Sequence, residues 1–176
     1  MTLAELKRQE EYRKALANLS SGNVNFVFNS IEKNFDILAN MLRDRNEALL
    51  YLKNFDGRFY NIALLESFRE FLSDPNNKLK IVVDEFDISQ SDNVSEYVYE
   101  FLTKHSNGNF ELRLAGTSFL TENENKFNVA GKSYQILGFN SDGTSTYKCN
   151  FSDNKIPGKL REKFNKHYEE CSIINI

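Results

Sequence analysis

The stretch Leu79-Lys80-Ile81-Val82-Val83-Asp84-Glu85-Phe86-Asp87 decides how the chain is read. A short apolar run with three β-branched residues in a row is the clearest strand in the chain. Carboxylates gather at its C-terminal end. Upstream, Ile62, Leu65, Phe68 and Leu72 recur at helical spacing, and Ser73-Asp74-Pro75-Asn76-Asn77 stops that helix. Downstream, Val94, Tyr97, Val98, Phe101 and Leu102 form the stripe of an amphipathic helix. Asn93 and Glu96 form its capping box, and Asn107-Gly108 breaks it. Phe110 to Leu114 then alternates as a strand does.

The same alternation extends toward the N-terminus. Ala48 to Leu52 is a short apolar run, read as a buried strand, and Asn54-Phe55-Asp56-Gly57 supplies a turn after it. Before it lies a helix that Ser30 can cap, carrying Ile31, Phe35, Leu38, Met41 and Leu42. Val24 to Phe28 reads as a strand. Thr2 and Glu5 form a capping box for a first helix, whose stripe is Leu3, Leu6, Leu16 and Leu19, and Ser20-Ser21-Gly22-Asn23 ends it. The C-terminal third differs. Phe127 to Val129, Ser133 to Phe139 and Thr144 to Phe151 are strand-like, joined by the hairpin signals Ala130-Gly131-Lys132 and Ser141-Asp142-Gly143. Pro157 opens a last helix with Leu160, Phe164 and Tyr168 on one face. Strands alternating with helices favour parallel pairing, and hairpins add antiparallel strands. The expected fold is α/β: a mixed, mostly parallel sheet flanked by helices, with C-terminal antiparallel hairpins. Residues 1–176 read as a single domain, with 1–21 an N-terminal helical extension.

Composition narrows the function classes. A chain of 176 residues is long enough for one sizeable core. With 13% aromatic residues it is not a disordered tail. A net charge of -3 gives no electrostatic footprint for nucleic acid, so such a partner is not indicated, although a local basic patch escapes this count. Two isolated cysteines, Cys149 and Cys171, fit a reducing cytoplasm better than a disulfide scaffold. No apolar stretch follows the charges of the first eight residues, so no signal peptide is expected, and no window suits a membrane span.

Candidate sites are few. Asp84, Glu85 and Asp87 follow an apolar strand, where ligands of open α/β sheets bind. Together they are able to hold Mg²⁺ or receive a basic partner. The alternative is a solvated acidic loop. Tyr51, Phe55, Phe59 and Tyr60 gather around one turn, as a partner-binding patch if exposed and as core if buried. His105 ends a helix, where a cation is favoured by the dipole. His167 and Cys171 stand four apart, but two ligands do not make a zinc site. Cys149 reads as a small core residue. Glu111-Leu112-Arg113 loosely echoes the lysine–carboxylate pairing of metal-dependent nucleases. There is no glycine-rich phosphate loop and no G-x-S-x-G elbow. No catalytic set, metal site or cofactor is expected.

The element order resembles the phospholipase D-like superfamily. Leu42-Arg43-Asp44-Arg45-Asn46-Glu47-Ala48-Leu49-Leu50-Tyr51-Leu52 is similar to its opening helix and first core strand. The segment from Ala63 to Leu72 is similar to its next helix, and Lys80-Ile81-Val82-Val83-Asp84 to its second core strand. Lys126 to Tyr134, Cys149-Asn150-Phe151 and Leu160-Arg161-Glu162-Lys163-Phe164 resemble the last hairpin and helix of small members that have lost catalysis. Active members carry a histidine, a lysine two residues on and an aspartate five further. Here the late strand reads Asn125-Lys126-Phe127-Asn128-Val129-Ala130-Gly131-Lys132, with no histidine, and with Ala130 or Gly131 where the acid is expected. The resemblance implies a non-catalytic module that binds a protein partner or small ligand, or forms a homo-oligomer. It further implies an accessory or regulatory subunit of a bacterial multi-gene system such as phage defence. The runner-up is a metal-dependent phosphodiesterase or nuclease using Asp84, Glu85 and Asp87.

Overall fold

In chain order the computed structural model contains α1 (Leu3–Leu19), β1 (Phe26–Phe28), α2 (Ile31–Met41), β2 (Glu47–Asn54), α3 (Ile62–Leu72), β3 (Lys78–Glu85) and α4 (Asn93–His105). There follow β4 (Phe110–Leu114), α5 (Thr117–Glu122), β5 (Phe127–Ala130), β6 (Ser133–Phe139), β7 (Ser145–Asn150), α6 (Ile156–Lys166) and β8 (Ser172–Ile173). It describes residues 1–19, 22–28, 31–43, 45–59, 61–88, 93–105 and 108–176. Ser30, Tyr60 and Asn107 lie outside the described residues, as do the side chains of Leu19, Ile31, Asn93 and Val94.

The strands form one eight-stranded sheet in the order β1-β7-β6-β5-β2-β3-β4-β8. Only β2–β3 and β3–β4 are parallel, while the other five pairings are antiparallel. The α/β class holds, but the sheet is mostly antiparallel rather than mostly parallel. The reason is connectivity. A parallel pair needs a long crossover, and only α3 and α4 supply crossovers between neighbouring strands. β1 also precedes a helix, yet it runs to the far edge and pairs antiparallel with β7. The hairpin β5–β6–β7 is antiparallel by construction, and β5 docks antiparallel on the open side of β2. Both hairpin turns need a left-handed residue, met by Gly131 (φ 57°) and Gly143 (φ 84°).

Ile81, Val82 and Val83 are fully buried because successive strand residues face opposite layers and both layers are covered. On the first face, Ile81 and Val83 meet Leu38 and Met41 of α2, Leu65 and Phe68 of α3, and Val98 and Phe101 of α4 in one cluster. On the second, Leu49, Tyr51 and Val82 share a cluster with Phe119 of α5, Leu160 and Phe164 of α6, and Tyr168. The helical stripes shift slightly from the sequence reading. Ile62 and Tyr97 are exposed, and Leu64 and Phe71 take inward positions instead. The capping box at Thr2 and Glu5 forms, with Glu5 N–H donating to Thr2 Oγ1 at 3.2 Å. Beyond it, Leu3 and Leu6 are exposed and Leu16 is buried. α5 and β8 carry no sequence signal: they are too short to show periodicity, and β8 exists only as a pairing on the edge of β4. Among the described residues, no helix is long and apolar enough to cross a membrane.

Candidate ligand-binding cleft

The sheet splits at one point. β2 and β5 pair from Ala48↔Ala130 to Leu50↔Asn128, and there the ladder stops. β2 continues to Asn54 on β3, while β5 stays with β6. β2 is thus parallel to one neighbour and antiparallel to the other, the kind of switch at which crevices open beyond strand C-termini. A cavity of about 470 Å³ fills the gap, lined by Tyr51 to Asn54 of β2, Lys126 to Asn128 around the start of β5, and residues of α2, β6 and β7.

Charge gathers on one lip. Asp84 leaves the end of β3 on the second face, where the Tyr51 hydroxyl donates to its Oδ1 at 2.6 Å. Lys126 Nζ lies 2.5 Å from its Oδ2 and 4.9 Å from the centre of the Tyr51 ring. Burial, and then the bond to Asp84, push the Tyr51 phenol far above its ordinary value, so it remains a donor. The other lip is built on Asp56, which has no exposed surface. Its oxygens accept from Arg58 Nε at 3.0 Å, Arg58 Nη2 at 2.6 Å and the Asp87 backbone N–H at 2.7 Å. Burial raises the Asp56 carboxyl, but these donors outweigh it and hold the carboxyl below its usual range. Arg58 also reaches Glu85 Oε2 at 2.5 Å.

The floor is made of amides. Gln135 Nε2 donates to the Asn34 backbone carbonyl at 3.0 Å. A carbonyl only accepts, so the orientation of the Gln135 amide follows. Its Oε1 must then accept, and it takes Asn128 Nδ2 at 3.0 Å. Asn128 Oδ1 is therefore the end left over. It is buried and has no hydrogen-bond partner, and Asn34 Oδ1 is in the same state. Asn34, Asn128 and Gln135 all line the cleft. Phe35, Phe59, Leu137, Phe139 and Tyr147 make its apolar walls. A second concavity, between α2 and α3, is lined by Arg43, Arg45, Glu70, Asp74 and Asn77 and lies toward the opposite, N-terminal ends of β2 and β3.

Of the acidic and aromatic residues singled out from sequence, Tyr51 and Asp84 meet in the cleft, and Phe59 lies on its wall. Glu85 turns to Arg58, because consecutive strand residues point to opposite faces. Asp87 is exposed, and its backbone contributes to the Asp56 lip. Phe55 is fully buried among Phe59, Phe68, Phe101 and Phe110 and offers no surface to a partner. The acidic loop is therefore not one cluster: Asp84 and Glu85 separate onto two cations. Among the described residues, no group of three histidines, cysteines or carboxylates is placed to hold a metal.

His105 stacks on Phe101 with ring centres 4.8 Å apart. Burial, then Lys104 and Arg69, lower its pKa, which works against the charge that a helix C-terminus favours. His167 lies past the end of α6, with Nδ1 3.2 Å from Glu170 Oε1, and the Cys171 thiol donates to the His167 carbonyl at 3.5 Å. Ring and thiol therefore do not converge. Cys149 is buried, which pushes its thiol up to about 12. Glu111 and Arg113 pair at 2.8 Å, and Tyr168 donates to Glu111 at 2.6 Å, fastening the C-terminal segment to β4.

Sequence reasoning missed Asn34, Asp56, Arg58, Lys126, Asn128 and Gln135 as site residues. Asn128 and Gln135 did carry a signal: each is an amide inside an otherwise apolar strand.

No protein-family model matches the sequence, and no curated protein matches it. Several solved structures are similar in fold, two of them as follows. One is TrmBL2, an archaeal chromatin protein described with a novel mode of DNA binding: TM-score 0.62, 16% identity, 97% of this chain and 64% of that one. The other is polyphosphate kinase from Porphyromonas gingivalis: TM-score 0.50, 10% identity, 80% of this chain and 25% of that one. The chain thus spans less than two thirds of either protein, and at these identities the likeness concerns the fold alone.

Proposed function

We propose that the chain is a non-catalytic, phospholipase D-like module that binds a small ligand in the cleft between β2 and β5 and serves as an accessory or regulatory subunit. The observation that carries the binding part is the floor: two buried amide oxygens without donors, beside a cavity large enough for a small ligand. A buried acceptor without a partner is costly, so native structures keep few of them; Asn123 Oδ1 is another outside the cleft, whereas the two in the cleft belong to residues that line one cavity together. The family part rests on the order of elements and the quoted segments. The non-catalytic part rests on the strand around Phe127 to Ala130, which lacks the histidine. The metal-dependent nuclease is the weaker reading, since Asp84 and Glu85 are each held by a cation. On the two lips Arg58 and Lys126 are paired with Asp56 and Asp84, while Lys53 also lines the cleft.

A thermal-shift screen against a library of neutral and charged metabolites tests this, with Leu137→Trp as a variant whose larger side chain fills the cleft. At least one compound is expected to stabilise the parent and not the variant. A library without hits, or hits that stabilise both proteins alike, overturns the reading. Replacing both histidines by Ala is expected to leave any phosphodiesterase background unchanged, and loss of a signal would restore histidine chemistry.

A further inference from the structure

Building on the cleft reading, we infer that the ligand is a planar nitrogen heterocycle bearing an exocyclic amino group, of the kind found in adenosine and cytidine. The polarity of the cleft is uneven. The amides Asn34, Asn128 and Gln135 form one side, and aromatic or aliphatic side chains form the walls. A flat ring with two apolar faces and one polar edge matches that distribution. A sugar, polar around its whole rim, would leave hydroxyls against the walls unpaired.

The direction of the hydrogen bonds selects the edge. Because the Asn34 carbonyl orients Gln135, and Gln135 orients Asn128, the unsatisfied group at Asn128 is an acceptor. Asn34 presents a second unsatisfied acceptor. The ligand must therefore bring donors, and an amino substituent carries two N–H groups on one atom. Amide side chains commonly read such an edge, and aromatic rings stack on such a face. Phe139 supplies a ring at the rim: it lines the cleft while 69% exposed, so a bound heterocycle would cover apolar surface now facing water. At the lips, Asp84 is already taken by Lys126 and Tyr51, and Asp56 by Arg58; Lys53 is a further cation on the cleft lining, so the amide floor and not charge selects the ring. The ring can come from a free nucleoside or from a base in a single strand, and the net charge of -3 favours the former.

Calorimetric titration of the full chain with adenosine, cytidine, ribose, maltose and a ten-nucleotide oligo(dA) tests the assignment. Adenosine or cytidine is expected to saturate one site, with affinity reduced at least tenfold in Asn128→Leu and severalfold in Phe139→Ala. Phe139 is exposed, so its removal should leave the melting temperature unchanged and keep the test valid if Asn128→Leu folds poorly. Oligo(dA) is expected to bind no more tightly than adenosine. Tighter binding that weakens steeply with salt would overturn the free-ligand assignment in favour of a strand. Binding of ribose or maltose alone, lost in Phe139→Ala, would refute the heterocycle and leave the cleft reading standing. Adenosine binding unaffected by either substitution would refute the inference, and a failed metabolite screen with Leu137→Trp would remove the cleft reading as well.

Discussion

Phe164→Ala probes how the closing helix supports the cleft. Phe164 has no exposed surface, so the substitution removes a ring from a closed space. Its ring lies 5.6 Å from that of Phe119 and 6.3 Å from that of Phe127, both edge-on, and stacks on Tyr168 at 5.3 Å. Phe119 and Phe127 in turn meet Tyr51 at 5.1 Å and 6.2 Å. Phe164 thus braces the ring whose hydroxyl holds Asp84. Truncating a fully buried Phe costs about 3–5 kcal/mol through lost transfer energy and the cavity left behind. The three ring neighbours are held by an adjoining sheet and helix, which limits collapse and favours the upper part of that range. For a domain of this size each kcal/mol moves the melting temperature by about 2–4 °C, so a drop of roughly 6–20 °C is expected. Urea titration followed by circular dichroism gives the free energy, and Phe164→Leu should lose less because it refills part of the space. A Phe164→Ala protein within about 1 kcal/mol of the parent would show that the side chain has room to be replaced, which contradicts the closed packing described above.

Three further outcomes follow from the lips and the thiols. Asp56→Asn should lower stability at neutral pH and flatten its acid dependence. The folded Asp56 carboxyl titrates below its unfolded value, so its contribution is present above that value and lost as pH falls through the folded one; equal acid unfolding profiles for parent and variant would count against the buried carboxylate. Calorimetric titration with Mg²⁺ or Mn²⁺ should show no saturable site in the parent or in Asp84→Asn, and micromolar binding abolished by that substitution would promote the nuclease reading. Cys149 and Cys171 are both buried, and burial raises both thiols; a chromogenic disulfide should label them only after denaturation, and rapid labelling of the native protein would show that one of them is open.

Local chemistry alone determined most of the elements. The apolar run Leu79 to Val83, the hairpin glycines Gly131 and Gly143 and the Thr2–Glu5 cap each depend on residues near in sequence, and each forms as read; of the last face, Leu160 and Phe164 lie on α6, while Tyr168 is buried from a 3-10 turn just past the helix end. Which strands lie side by side was not legible, because the partner of β1 is β7, more than a hundred residues away, and periodicity says nothing about partners so distant. That is why the sheet is mostly antiparallel although the first half of the chain alternates like a parallel fold. The cleft shows the same division. Tyr51 was legible as one of the aromatics near a turn and Asp84 as a carboxylate at a strand end, but their 2.6 Å contact requires β2 and β3 to pair in register. The separation of Asp84 from Glu85 follows from strand pleat, yet their cations, Lys126 and Arg58, arrive from other segments. The floor depended most on tertiary structure. Asn34, Asn128 and Gln135 come from a helix and two strands, and only their packing makes one chain of amides whose last oxygens have no donor.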